Sequence, residues 1–84
     1  MLKHPSDLHI AVHDAIMECY RQDEEWGLNR IQSALKWNAI LTEETGEVAK
    51  EVNEEDRVKM RAELVQVAAV ALNWIKALDR GEVT

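Results

Sequence analysis

Leu41 to Ile75 reads LTEETGEVAKEVNEEDRVKMRAELVQVAAVALNWI. Apolar residues recur at helical spacing on both sides of the polar run Asn53-Glu54-Glu55-Asp56, so the stretch reads as two helices joined by a short turn. Glu44 and Glu47 stand at i, i+3 on the first helix and Glu63 and Gln66 at the same spacing on the second, so each pair shares a face. With Glu55 taken as the turn centre, Glu47 and Glu63 are each eight residues away, and Glu44 and Gln66 each eleven. At a rise of ~1.5 Å per residue the four side chains form two rungs, ~12 and ~16 Å from the turn. Helix axes ~8–10 Å apart leave side chains of this length free to converge.

Three carboxylates in one small volume raise one another's pKa and oppose folding unless a cation compensates them. Oxygen ligands without Cys or His beside them suit magnesium or manganese rather than zinc. Glutamates on helices more often form a solvated face. Glu63 argues otherwise, because it opens the run Leu64 to Leu72, in which Gln66 is the one polar residue, and shares a stripe with Val67, Val70 and Trp74. A carboxylate at the edge of so apolar a stripe needs a partner.

The remaining chain fits a single all-α domain spanning residues 1–84. Apolar residues make up 46% of the sequence, with three Gly, one Pro and no Phe, a balance that favours helices over sheets. A chain of 84 residues is near the size at which a lone core gives marginal stability. The formal net charge of −6 argues against a nucleic-acid polymer as partner, which calls for clustered Lys and Arg, yet leaves room for one metal-bound nucleotide. Cys19 is the only cysteine, so no internal disulfide forms. The opening MLKHPSDLHI has no apolar signal region, and no run approaches the ~18–20 apolar residues that cross a bilayer. The expected location is the cytoplasm.

A first helix is expected from Ser6, as N-cap after Pro5, to about Glu24. Leu8, Ala11, Val12, Ala15, Ile16 and Cys19 give it an apolar face, expected to be core. His9 and His13 read as surface or interface histidines, and Cys19 as a small buried hydrophobe. Gly27 should end this helix and Asn29 cap the next, expected over residues 31–52. Ala34, Trp37, Leu41, Val48 and Val52 form the buried stripe of that helix, with Gly46 either allowing a close approach or simply tolerated. Trp37 either stacks on a nucleobase or packs in the core, and Trp26 is a lid or an anchor. The third helix is expected over residues 57–78, with residues after Arg80 frayed. It is apolar nearly all round, with Met60, Leu64, Val67, Ala71, Trp74 and Leu78 on one side and Val65, Ala69 and Leu72 opposite. Two other helices cannot cover both sides, so the hairpin should be completed as a bundle of four or more helices in a homodimer or homotetramer.

Glu43-Glu44-x-x-Glu47 followed after fifteen residues by Glu63-x-x-Gln66 resembles the Glu-Glu-x-x-Glu…Glu-x-x-Asp signature of the MazG-like all-α nucleoside triphosphate pyrophosphohydrolases. Arg21-Gln22 and Trp26-Gly27 resemble an upstream element of some members, so the likeness extends over about residues 16–80. It implies a helical dimer or tetramer that uses magnesium to cleave a nucleoside triphosphate between the α and β phosphorus, as in clearing of the nucleotide pool. It further implies that Glu44, Glu47 and Glu63 are metal ligands, with Glu43 close by and Gln66 at the fourth ligand position. Gln66 departs from the signature's Asp, bringing an amide oxygen without negative charge. Glu44 or Glu47 would activate water, Lys50 and Lys59 would contact phosphate oxygens, and Trp37 or Trp26 would wall the base pocket. Two other readings stand beside this one, a member of the same fold that binds nucleotide or metal without turnover and a plain helical oligomerisation module.

Overall fold

The computed structural model describes residues 5–28 and 30–84. Asn29, the expected cap, lies outside them. Three helices follow in order, α1 (Pro5–Trp26), α2 (Ala34–Asn53) and α3 (Arg57–Asp79). Among the described residues there is no strand beyond one isolated bridge. The helix starts follow from local chemistry. Pro5 itself begins α1, where its missing N–H costs nothing, so Ser6 lies inside the helix rather than capping it. Ser33 caps α2, its Oγ accepting from the Lys36 N–H at 3.1 Å, which starts that helix three residues later than expected. Asp56 caps α3 in the same way, accepting from the Lys59 N–H at 3.0 Å.

The ends are equally local. Gly27, at φ 96°, receives the chain after α1, and its N–H bonds to the Asp23 carbonyl at 2.9 Å. In the α2–α3 turn the left-handed position is held by Glu55, at φ 55°, a conformation that disfavours a Cβ. Gly46 meets nothing within 4 Å where a Cβ would stand, so it allows no close approach. Residues after Arg80 are not frayed. The Gln32 N–H bonds to the Glu82 carbonyl and the Thr84 N–H to the Gln32 carbonyl, so the tail pairs with the segment ahead of α2, and Val83 packs on the core.

α3 is the central element: α1 and α2 each pack against it and not against one another. Its α2-facing side carries Val70 and Ala77, which cluster with Trp37 and are flanked by Ile40, Leu41 and Trp74. The Trp37 and Trp74 rings stack with centroids 6.3 Å apart and planes 6° from parallel. Its α1-facing side is more polar. The Asn73 amide donates to the Gln22 carbonyl oxygen at 3.0 Å, Lys76 pairs with Asp23, Arg61 pairs with Asp14, and the Cys19 thiol donates to the Ala69 carbonyl. Cys19 is half-buried rather than fully buried, and that burial raises its pKa, which disfavours the thiolate a nucleophile needs.

This seam corrects the expected core of α1. The helix meets α3 through Ala15, Cys19 and Gln22, at i, i+4 and i+7, while Leu8, Val12 and Ile16 stay 68%, 45% and 40% exposed. Val52, Leu64 and Leu78, expected in the buried stripes of α2 and α3, are also exposed. One chain thus covers a narrow strip on each side of α3 and leaves the outer apolar faces open. No described helix is long and apolar enough to cross a membrane.

Candidate active site

The acidic residues are sorted by helical phase as much as by height. On α2 the residues facing α3 run through Trp37, Leu41, Glu44, Val48 and Glu51, spaced four, three, four and three apart, and each is at least partly buried. Glu47 lies to one side of this stripe and is exposed, as is Glu43. On α3 the corresponding stripe passes through Met60, Glu63, Val67, Val70 and Trp74. Glu44 therefore meets Glu63. Trp37 shares the core with Val70, and the Asp56 N–H bonds to the Glu51 carbonyl, so all three pairs are equidistant from a point between Asn53 and Glu54.

That register replaces the rungs expected from a turn centred on Glu55. Gln66 does not lie opposite Glu44. It lines the open groove between α1 and α3, beside Glu18, Arg21 and Arg61.

Glu44 carries the electrostatic signature of the site. Burial comes first in holding its carboxyl above the usual carboxylate range, and the charge of Glu63, a hydrogen bond shared with Glu63, and the charges of Glu47 and Glu43 add to it. Its Oε2 is buried without a donor. The two facts agree, because ionised carboxylates only accept, and Glu44 can bond Glu63 only while one of them holds a proton. The residues present fit a divalent cation: two carboxyl groups from different helices and a buried oxygen lacking a donor, with Glu47 and Glu43 near enough to act through their charge. Among the described residues no three His, Cys, Asp or Glu side chains stand together as a ready ligand set, so Glu44 and Glu63 form its nucleus and Glu47 stands outside it.

From Glu43 and Glu44 a cleft of about 600 Å³ runs along α2 past Ile40 to Lys36, and on to Gln32, Ile31, Arg30 and Trp26. Trp26 thus borders it. Trp37 does not, since it is 2% exposed, with Trp74 stacked on its ring and the Arg30 guanidinium 4.8 Å from its centroid. Lys50, in the last turn of α2, and Lys59, in the first turn of α3, are exposed and border none of the described cavities.

Arg30 and Lys36 were not among the residues expected at the site. Lys36 was legible, lying one turn before Ile40 and two before Glu43 on one face. Arg30 was not, because its place depends on how the loop after α1 returns.

The sequence model of the MazG nucleotide pyrophosphohydrolase domain matches residues 32–83, from the segment before α2 to the paired tail. The match takes in well over half of the chain, including the whole hairpin and all five signature positions, and the chain belongs to this family. Curated proteins and solved structures gave no match. α1 and the Arg21-Gln22 and Trp26-Gly27 element lie outside the matched residues. Within the structure Gln22 is buried against Asn73, while Arg21 bridges Glu18 and Glu25 on the surface of α1.

Proposed function

We propose that the chain is a magnesium-dependent nucleoside triphosphate pyrophosphohydrolase, releasing pyrophosphate and a nucleoside monophosphate, and acting in the cytoplasm to clear the nucleotide pool. One observation supports this above the rest: Glu44, which meets Glu63 across the hairpin at two signature positions on separate helices, lines a cleft large enough for a nucleotide. In the reaction a water oxygen attacks the α-phosphorus. The bond from that phosphorus to the bridging oxygen breaks, its electron pair leaves with pyrophosphate, and the water's proton passes to a carboxylate.

Glu44 and Glu63 would hold magnesium, or manganese in its place, with Glu47 completing the set and Gln66 offering at most an amide oxygen after a change of rotamer. Bound there, the ion supplies charge neutralisation on the phosphates. Glu44 or Glu47 orients the water and takes its proton, and Glu43 adds negative charge at the rim. The exposed Lys50 and Lys59 are left to meet phosphate oxygens at the outer side of the hairpin.

The open faces of α1 and α3 support a homodimer or homotetramer, in which Leu8, Val12, Ile16, Leu64 and Leu78 are covered. A second reading, nucleotide binding without turnover, is favoured by Gln66, which lacks the signature's charge and faces the α1 groove. Pyrophosphate release from a panel of ribo- and deoxyribonucleoside triphosphates with magnesium separates the two. The first reading expects release that Glu63→Gln abolishes, and binding without any release establishes the second.

A further inference from the structure

The far end of the cleft carries a guanidinium held in an unusual way. Arg30 lies 5.5 Å from the Trp26 ring centroid and 4.8 Å from that of Trp37, and Trp37 is itself stacked on Trp74. Two indoles thus lie against the guanidinium, whose N–H groups remain as donors. Among the described residues no hydrogen bond or ion pair uses them. Beside it, the buried Gln32 amide nitrogen also lacks an acceptor, and the exposed Lys36 adds a third donor to the same cleft. Arg30 and Lys36 therefore bring only donors to this end, and the unpartnered atom of Gln32 is its donor as well.

We propose that Arg30, with Gln32, reads the edge of the nucleobase and selects purines that carry a 6-oxo group. The proposal rests on the hydrolase reading for its ligand. The acidic end, eight residues along α2 from Lys36, or ~12 Å by helical rise, handles the metal-bound phosphates. Ile40 lies between the two ends, and Ile31 and Trp26 line the cleft near Arg30, walls that suit a flat heterocycle better than another phosphate. Guanine and hypoxanthine present O6 and N7 together, a pair of acceptors that a fixed guanidinium fork meets with two bonds. Adenine replaces O6 with an amino donor, which would face the donor-only guanidinium of Arg30. Cytosine and uracil lack the O6/N7 pair altogether.

The test is calorimetric titration of the full chain with GMP, IMP, AMP and the 7-deaza analogue of GMP, in EDTA so that phosphate–metal contacts play no part. GMP and IMP should bind at least ~10-fold more tightly than AMP, with the 7-deaza analogue losing most of that advantage. Arg30→Lys keeps the charge and removes the fork, so it should bring GMP down to the level of AMP while leaving AMP unchanged. Gln32→Ala leaves the indole contacts intact and should reduce GMP binding alone, which keeps the test open if the first variant folds poorly. Equal binding of GMP and AMP, or an equal loss of both in Arg30→Lys, overturns the proposal and makes Arg30 a phosphate contact. Turnover without base preference likewise sinks this inference and leaves the hydrolase, whereas base preference without pyrophosphate release sinks the hydrolase alone.

Discussion

Replacing Glu63 with Gln should make the metal-free protein more stable, although it removes a residue assigned to the site. The side chain keeps its shape, and the Gln amide can donate to the Glu44 oxygen that otherwise has no donor. Two like charges ~4 Å apart repel by ~1 kcal/mol in water and ~4 kcal/mol at a partly screened surface. Both glutamates are only partly buried, which places the relief near the lower figure. For a domain of this size ~1 kcal/mol corresponds to ~4–8 °C in Tm. Thermal unfolding by circular dichroism in EDTA reads this directly, and the rise should vanish in excess magnesium, where wild type alone gains from the ion. A Glu63→Gln protein that melts at or below the wild-type temperature in EDTA would refute the claim that the two carboxylates oppose each other across the hairpin.

Other expectations follow from the packing. Trp37→Ala removes the stacked, 2% exposed indole and should cost ~3–5 kcal/mol in urea unfolding, enough to leave so small a domain largely unfolded. Val12→Glu places a charge on the open face of α1 and should convert a dimer or tetramer to monomer in light-scattering chromatography; a wild type that is itself monomeric would contradict the assembly. Glu55→Gly relieves a left-handed residue in the α2–α3 turn and should raise stability by ~0.5–1 kcal/mol. Arg21 holds the Glu18 carboxyl below its usual range, so the stability from this pair is present above the ordinary carboxylate range and lost as pH falls through the lowered value. The urea midpoint difference between wild type and Glu18→Gln should therefore shrink on acidification from neutral pH.

The fold was legible where local chemistry decides it. The bounds expected for α3 from the polar turn Asn53 to Asp56 and the apolar run after Glu63 fall within a residue of its observed ends, because such signals act on their own neighbours. The start of α2 lies later than an Asn29 cap would set it, because the backbone at Gln32 is taken by pairing with Glu82 and Thr84, a contact between distant parts of the chain.

The arrangement of the acidic residues was not legible in the sequence. Height along a hairpin matched Glu47 with Glu63, but side chains meet only when they also point at each other, and the stripe through Trp37 and Leu41 reaches Glu44 and Glu51 instead. Gln66 follows the same logic on α3, where it shares the α1-facing side with Ala69 and Asn73. Which faces of α1 are covered could not be read from its periodicity, since a short Ala15, Cys19 and Gln22 seam makes the contact and the larger apolar residues lie beside it. The Arg30 contact depends on two tryptophans that the fold brings against one guanidinium.

The most direct test of the Glu44–Glu63 pair as a divalent-cation site is titration with manganese, read by electron paramagnetic resonance on wild type, Glu44→Gln and Glu63→Gln. The wild type should bind the ion stoichiometrically with the chain, and each variant should lose that binding at least ~10-fold. Manganese bound equally by all three proteins would contradict the assignment.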